Sequence, residues 1–342
     1  MSKPIPTVGI IANPVSARDI RRVIANASNL QTSDRVNIVL RLLSTMASMG
    51  VKKVLMMPDK SGMRPLLMRQ LMREGQMGQG FPEVEYLDFE PLSTVDDTFH
   101  SARLMRQAGV NAIVVLGGDG THRAVARECG DIPIAGLSTG TNNAFPEMRE
   151  PTVTAMAVGL FATRQLSRDE ALLANKVLDI SINEGERRDI AIVDAVISHE
   201  RVIGSRALWR PDSLAAVYLT YADPEVIGLS AIGGLLQPVT RKQPEGLVIE
   251  LAGDPEQAQF KLRAPIAPGM MRDIPIASWS LLPAEQAAPV RLSAGVVALD
   301  GEREMTFKTG DRVAITLKKN AFFTVDVARC MQLGADKGLF RF

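Results

Sequence analysis

The chain has 342 residues, 46% hydrophobic content and 39 basic against 38 acidic side chains. It therefore carries the apolar material for one large or two ordinary domains, two being the better fit, and has no long-range field to draw it to nucleic acid or an acidic membrane. Its two cysteines, Cys129 and Cys330, lie far apart and outside any Cys-x-x-Cys or Cys/His ligand spacing, which argues against a disulfide framework or zinc site and fits a reducing compartment.

The opening Met1-Ser2-Lys3-Pro4-Ile5-Pro6 lacks the apolar core of a signal peptide, and no stretch approaches about 18 uninterrupted apolar residues. A cytoplasmic protein without stable membrane association is expected. In the first part of the chain short apolar runs alternate with segments of helical period, the pattern of a parallel sheet flanked by helices. Strands are expected at residues 8–12, 54–57, 84–89, 112–116 and 132–135, and helices at 17–27 behind Ser16, 35–49, 64–74 and 95–108 behind Thr94. Residues 1–150 thus read as a doubly wound α/β domain. A helical stretch at 155–161 then leads into β-type segments: 177–182 and 190–198 around the turn Asn183-Glu184-Gly185-Glu186, followed by 215–221, 246–251, 259–262, 290–299 and 312–317. Residues 151–320 form a mostly β domain in this reading, and 321–342 either finish it or return to the first domain.

In an open α/β sheet a ligand crevice lies beyond the carboxyl ends of the strands, and the strand at 112–116 runs there into Gly117-Gly118-Asp119-Gly120-Thr121. Missing Cβ atoms let backbone N–H groups approach a phosphate, and a helix starting near Thr121 adds a favourable dipole. The next strand enters a second loop, Gly136-Leu137-Ser138-Thr139-Gly140-Thr141-Asn142-Asn143, rich in groups that can donate to anionic oxygens. A right-handed crossover would place both loops at one end of the sheet. Asp119 would then face a crevice made for anions, which calls for Mg²⁺ coordination, general-base work, or both. Neither loop is a Walker A motif, and Gly118-Asp119-Gly120 lacks the third glycine of the dinucleotide fingerprint, which argues against a standard nicotinamide-dependent oxidoreductase.

With these residues the chain resembles the superfamily of NAD kinases, diacylglycerol kinases and sphingosine kinases, whose shared Gly-Gly-Asp-Gly-Thr loop is reproduced without a substitution. Gly140-Thr141-Asn142-Asn143-Ala144-Phe145, the opening Asn13-Pro14 and Leu299-Asp300-Gly301-Glu302 are similar to lipid-kinase motifs, while residues 191–197 and 228–234 look like NAD kinase segments. The wording of 138–146 most resembles the acetoin-catabolism protein X (AcoX-like) branch of the ATP-NAD kinase family, and the patches of resemblance run from Gly9 to Glu302. The resemblance implies an α/β nucleotide domain followed by a β-sandwich acceptor domain, an active site between them, ATP and Mg²⁺ as cofactors, and a homo-oligomer. Two departures bear on the acceptor: an Asn-Glu pair of NAD kinases falls on Val193 and Asp194, and Tyr221-Ala222-Asp223-Pro224-Glu225 replaces a run that contacts NAD in that family.

The resemblance assigns Asp119 to removing or orienting the acceptor hydroxyl proton, with Gly117, Gly118, Gly120 and Thr121 on the phosphates. Gly140, Thr141, Asn142 and Asn143 bind nucleotide or acceptor, Asn13 supports the nucleotide, and Asp194 contacts acceptor hydroxyls. Asp300 and Glu302 complete a metal site, although Asp-Gly is also a favoured hairpin turn. Asp194 could equally be a solvent-facing strand residue, and Asn13 the start of a turn. His122 could assist proton transfer or cap the helix, and the cluster Arg18, Arg21 and Arg22 could face phosphates or solvent. The expected activity is ATP-dependent phosphoryl transfer to a hydroxyl of NAD or a small polyol-like metabolite, with a nucleotide-binding sensor or regulator as the alternative.

Overall fold

A computed structural model describes residues 4–13, 30–139, 143–200 and 213–341. The helix expected at 17–27, with Arg18, Arg21 and Arg22, lies outside the described residues, as do Gly140, Thr141 and Asn142. Five strands, β1 (Thr7–Ala12), β2 (Lys53–Met56), β3 (Glu83–Tyr86), β4 (Ala112–Gly117) and β5 (Ile134–Ser138), pair in parallel in the order β3-β2-β1-β4-β5. The order reverses between β1 and β4, so a crevice opens past Ala12 and Gly117, where such sheets bind ligands.

Strands buried on both faces need apolar side chains throughout, and the unbroken runs of β1 and β4 reflect this. Val8, Ile10, Val114 and Leu116 face one layer, built from α1 (Thr32–Ser48), α2 (Met63–Gln76) and, further along, α5 (Pro151–Ala162). Ile11, Ile113 and Val115 face the other, where α3 (Asp96–Gln107) and α4 (Asp119–Glu128) pack through Ala102, Met105 and Val125. Gly9 lies under α3: a Cβ there would come within 2.5 Å of the Met105 sulfur.

The short α6 (Arg168–Ala171) leads into β6 (Leu172–Ile182), whose antiparallel neighbours are β7 (Arg187–Ala191) and the late strand β16 (Val313–Val325). The far end of β16 also pairs in parallel with β5, through Thr324 and Ile134, so one sheet runs through both halves of the chain. After it, α8 (Val327–Asp336) returns to the α1/α5 layer through Val327 and Cys330. A second, antiparallel sheet has the order β11-β12-β10-β9-β8-β14-β15. Its strands in chain order are β8 (Asp194–Ser198), β9 (Leu214–Leu219), β10 (Gly246–Leu251), β11 (Phe260–Ala267), β12 (Met270–Leu282), β14 (Gly295–Leu299) and β15 (Glu302–Phe307), while the short β13 (Ala287–Pro289) pairs with β16. Leu178, Ile180, Ile315 and Leu317 of the first sheet meet Ile197, Tyr218, Val297 and Leu299 of the second. The outer face of the second sheet is covered by α7 (Ser230–Leu236) through Ile232.

Two expected strands take other bounds, one by dividing and one by shortening. Residues 190–198 end one strand in the first sheet at Ala191 and start another in the second sheet at Asp194, with Ile192 and Val193 making the crossing. Residues 290–299 contribute only β14, which begins at Gly295. An apolar run shows that a segment is buried but not which sheet it joins. Among the described residues no helix is long and apolar enough to cross a membrane, and Cys129 and Cys330 are free and buried.

Phe322 is 1% exposed and packs 5.6 Å from the ring of Phe145, where β16 meets the crevice side of the parallel sheet. Phe322→Ala should lower stability by about 3–5 kcal/mol, read as a lower urea midpoint at an unchanged slope.

Candidate active site

The chain leaves β4 through Gly117 and Gly118 and turns at once into α4, with Gly118 as N-cap and Asp119 as the first helical residue. At neither glycine would a Cβ fit unless a neighbouring side chain shifted. A Cβ on Gly117 would lie 2.7 Å from the Thr121 hydroxyl oxygen, and one on Gly118 would lie 2.7 Å from the Asn143 side-chain oxygen. Thr121 is buried and folds back on Gly117, while the carbonyl of Gly118 accepts the backbone N–H groups of Thr121 and His122. Gly120 lies under the second domain: a Cβ there would be 3.8 Å from Glu302 Oε1, on β15.

The two glycine loops meet at the same end of the sheet. Asp119 Oδ2 accepts the N–H of Ala144 at 3.0 Å and Oδ1 accepts that of Phe145 at 2.9 Å. A carboxylate in the first turn of a helix also complements the helix dipole. Asn143 donates to Ser138 Oγ at 2.7 Å, and the backbone N–H of Thr139 donates to Gly117 O at 3.2 Å. Asp119 thus occupies the crevice mouth as the joint between the loops after β4 and β5.

The other expected residues surround this joint with different engagements. Asn13, at the exit of β1, donates its amide to Thr98 Oγ1 at 2.8 Å, and its carbonyl accepts from Arg35 Nη1 at 3.0 Å. It therefore fastens the strand exit to α3 and α1. Asp300 and Gly301 form the two-residue turn between β14 and β15, with φ of 50° and 81°, the left-handed pair that Asp-Gly supplies. The Asp300 carboxylate turns inward and accepts the N–H groups of Ile192, Val193 and Asp194 at 3.1, 2.8 and 3.2 Å. Asp194 is buried at the start of β8 and takes part through its backbone. Burial and the nearby Asp194 push the Asp300 carboxyl well up, against the pull of Arg123 and the Val193 N–H. Asp300 and Glu302 are engaged differently: the first is a buried turn lock and the second is half-buried over Gly120. Among the described residues no three His, Cys, Asp or Glu side chains are grouped to hold a metal ion.

Sequence reasoning missed Arg123. It lies one helical turn after Asp119, is buried, and binds Asp189 at 3.2 Å, Glu304 at 2.8 Å and Asp300 at 3.7 Å. Arg127 continues the stripe and reaches Asp189 at 3.4 Å. The signal was the spacing of Asp119, Arg123 and Arg127 on one helix face. His122 is neither a surface cap nor aimed at the crevice. Its Nδ1–H donates to Gly118 O at 2.9 Å, and its Nε2 would lie 2.7 Å from a Cβ on Gly136, in β5. Complete burial holds its pKa down to about 4. Also missed were Tyr221 and Arg241, which grip the second loop from its other side. The Tyr221 hydroxyl donates to Ala144 O at 2.7 Å, and Arg241 Nη2 donates to Ala144 O at 3.0 Å and Phe145 O at 2.7 Å.

Comparison with known proteins matches both halves of the chain. A family described as the ATP-NAD kinase N-terminal domain matches residues 8–165, and one described as the acetoin catabolism protein X C-terminal domain matches 176–320. Acetoin catabolism protein X of Cupriavidus necator is 59% identical over 339 residues, covering 98% of this chain and 94% of that protein. NAD kinase of Methanosarcina barkeri is 28% identical over 234 residues, covering 64% and 73%. Among solved structures, a candidate diacylglycerol kinase from Bacillus anthracis str. Sterne aligns with a TM-score of 0.51 at 12% identity, over 95% of this chain and 98% of that one, a likeness of fold.

Removing the Arg123 charge takes the cation from Glu304 and leaves Asp189 to Arg127 alone, so Arg123→Met should cost about 3–5 kcal/mol. Arg127→Met, at a half-exposed position, should cost less than about 1 kcal/mol, and denaturant titration of both checks the ranking. The folded His122 imidazole titrates below its ordinary value, so folding favours its neutral form. The stability it contributes is complete above about pH 6.5 and lost as pH falls toward 4. Between pH 7 and 5 the wild type should lose about 2 kcal/mol more than His122→Gln, measured by urea unfolding at each pH.

Proposed function

This chain belongs to the acetoin catabolism protein X family, and from that premise we propose that it is a phosphotransferase moving the terminal phosphoryl group of ATP to a hydroxyl of a small polyol-like metabolite or of NAD. The observation that carries the reading is the Asp119 carboxylate, oriented by two backbone N–H groups at the mouth of two glycine loops beyond the sheet's switch point. A carboxylate fixed there can accept the proton of an acceptor hydroxyl, while the glycine-loop amides and the N-terminus of α4 balance phosphate charge. Gly117, Gly118, Gly120, Thr121 and Asn143 are assigned to the phosphate side, together with Gly140, Thr141 and Asn142. Asn13 supports that side through the start of α3, and Asp194 belongs to the acceptor side through the Ile192–Val193 crossing.

Mg²⁺, when bound, would neutralise phosphate oxygens, and its donor preference is for one or two carboxylates besides the phosphates themselves. Glu302, over Gly120, and Asp119 fit that preference. Asp300 does not, since its oxygens accept three backbone N–H groups in the interior. The smaller acceptor is favoured over NAD because Val193 and Tyr221 are buried packing residues, and the Tyr221 hydroxyl is committed to Ala144.

ATP consumption should be measured with Mg²⁺ against a panel of diols, sugars, inositol, NAD, NADH and diacylglycerol. Wild type should show acceptor-dependent ADP release with one member, abolished by EDTA. Asp119→Asn should lower kcat by about 10²- to 10⁴-fold with ATP binding retained. Tight nucleotide binding with no acceptor-dependent turnover would favour a sensor instead. Undiminished turnover by Asp119→Asn would remove the role given to that residue.

A further inference from the structure

We propose that Arg241, with Tyr221, is a positioning residue for Asp119: a clasp from the second domain that holds the Ala144–Phe145 segment in the orientation that presents its N–H groups to the carboxylate. The kinetic consequence rests on the phosphotransferase reading; the structural one does not.

The carbonyl of Ala144 and the N–H of Phe145 belong to one rigid trans unit and point in opposite directions. Tyr221 Oη and Arg241 Nη2 hold the carbonyl end of that unit at 2.7 and 3.0 Å, and Asp119 Oδ1 holds its N–H end at 2.9 Å. Rotating the plane to free Asp119 would break the bonds on both sides. The following unit is held by Arg241 at Phe145 O, 2.7 Å away, and its nitrogen belongs to Pro146, which has no N–H to offer a competing bond.

Arg241 is itself immobilised. Its guanidinium lies over the rings of Phe145 and Tyr221, at 4.8 and 4.6 Å from their centroids, and Nη2 also contacts Tyr221 Oη at 3.2 Å. The loop that carries it is caged from below by the buried Lys176 on β6, whose ammonium donates to the carbonyls of Thr240, Gln243 and Glu245 at 3.4, 2.7 and 2.7 Å. Burial lowers the Lys176 pKa to about 8, which leaves it charged at neutral pH. The chain of contacts from Lys176 through Arg241 and Ala144–Phe145 to Asp119 therefore runs from the sheet interior to the crevice. A loop would otherwise sample several orientations, and a misplacement of about 1 Å in a reacting group costs on the order of 10²-fold in rate.

The test uses the full-length protein and two readouts. In Arg241→Met, kcat should fall about 10- to 100-fold while KM for ATP and for the acceptor stays within about twofold. Arg241→Lys should recover part of the loss, since an ammonium supplies a donor without the planar fork. Tyr221→Phe, which deletes one hydroxyl and keeps the ring, should fall by about 3- to 10-fold and serves if the arginine variants fold poorly. Hydrogen exchange at Ala144 and Phe145, followed by mass spectrometry on peptides spanning 143–147, should quicken about tenfold or more in Arg241→Met and Tyr221→Phe. Arg263→Met, which removes an exposed pair with Asp273 on the β11–β12 hairpin, should change neither readout. Unchanged exchange in both clasp variants overturns the proposal, as does a raised acceptor KM at full kcat, which would make Arg241 an acceptor contact. If wild type transfers no phosphate to any acceptor, the phosphotransferase reading fails and exchange alone decides whether the clasp exists.

Discussion

A buried backbone N–H must find an acceptor, and at one place in this protein that requirement decides the architecture. Where the chain leaves the first sheet after Ala191 and enters the second at Asp194, the backbone has no strand partner for consecutive N–H groups in the interior. The Asp300 carboxylate accepts them from the opposite hairpin turn. That turn exists because Asp300 and Gly301 both adopt left-handed backbone, and the same carboxylate meets Arg123 of α4 at 3.7 Å. One side chain thus joins the sheet crossing, the β14–β15 hairpin and the helix that begins with Asp119.

The electrostatics follow the same geometry. Arg123 and Arg127 draw Asp189 and Glu304 onto α4, so the acidic edges of the second domain rest on the helix that presents Asp119. A guanidinium with three carboxylate neighbours suits this place, because its planar fork can address several anions at once. Two arginines from different domains frame the site: Arg123 holds the second domain on α4, and Arg241 holds the second loop against Asp119.

Much of this was legible in the residues. The unbroken apolar runs of β1 and β4 and the helical periods between them gave the parallel sheet, and the glycines gave the loops at its carboxyl end. Asp300-Gly301 read correctly as a turn option because its chemistry is local. What the residues could not show were pairings between distant segments. Residues 190–198 look like one strand since both sheets bury them equally. Tyr221 stood out only as a departure from a family motif, because its partner Ala144 lies 77 residues away. Arg123 meets Glu304 across 181 residues, and no spacing rule reaches that far.

The pairing of Thr324 with Ile134 has a consequence for biosynthesis. β5 has one neighbour, β4, from the moment it forms, and its other edge waits for a strand that leaves the ribosome only after every strand of the second sheet. During that interval the first half carries an unpaired parallel edge, the kind of surface that recruits other chains. Native assembly is therefore gated by the arrival of β16, and a chain interrupted before that strand would be exposed to edge-to-edge association in place of completing its sheet.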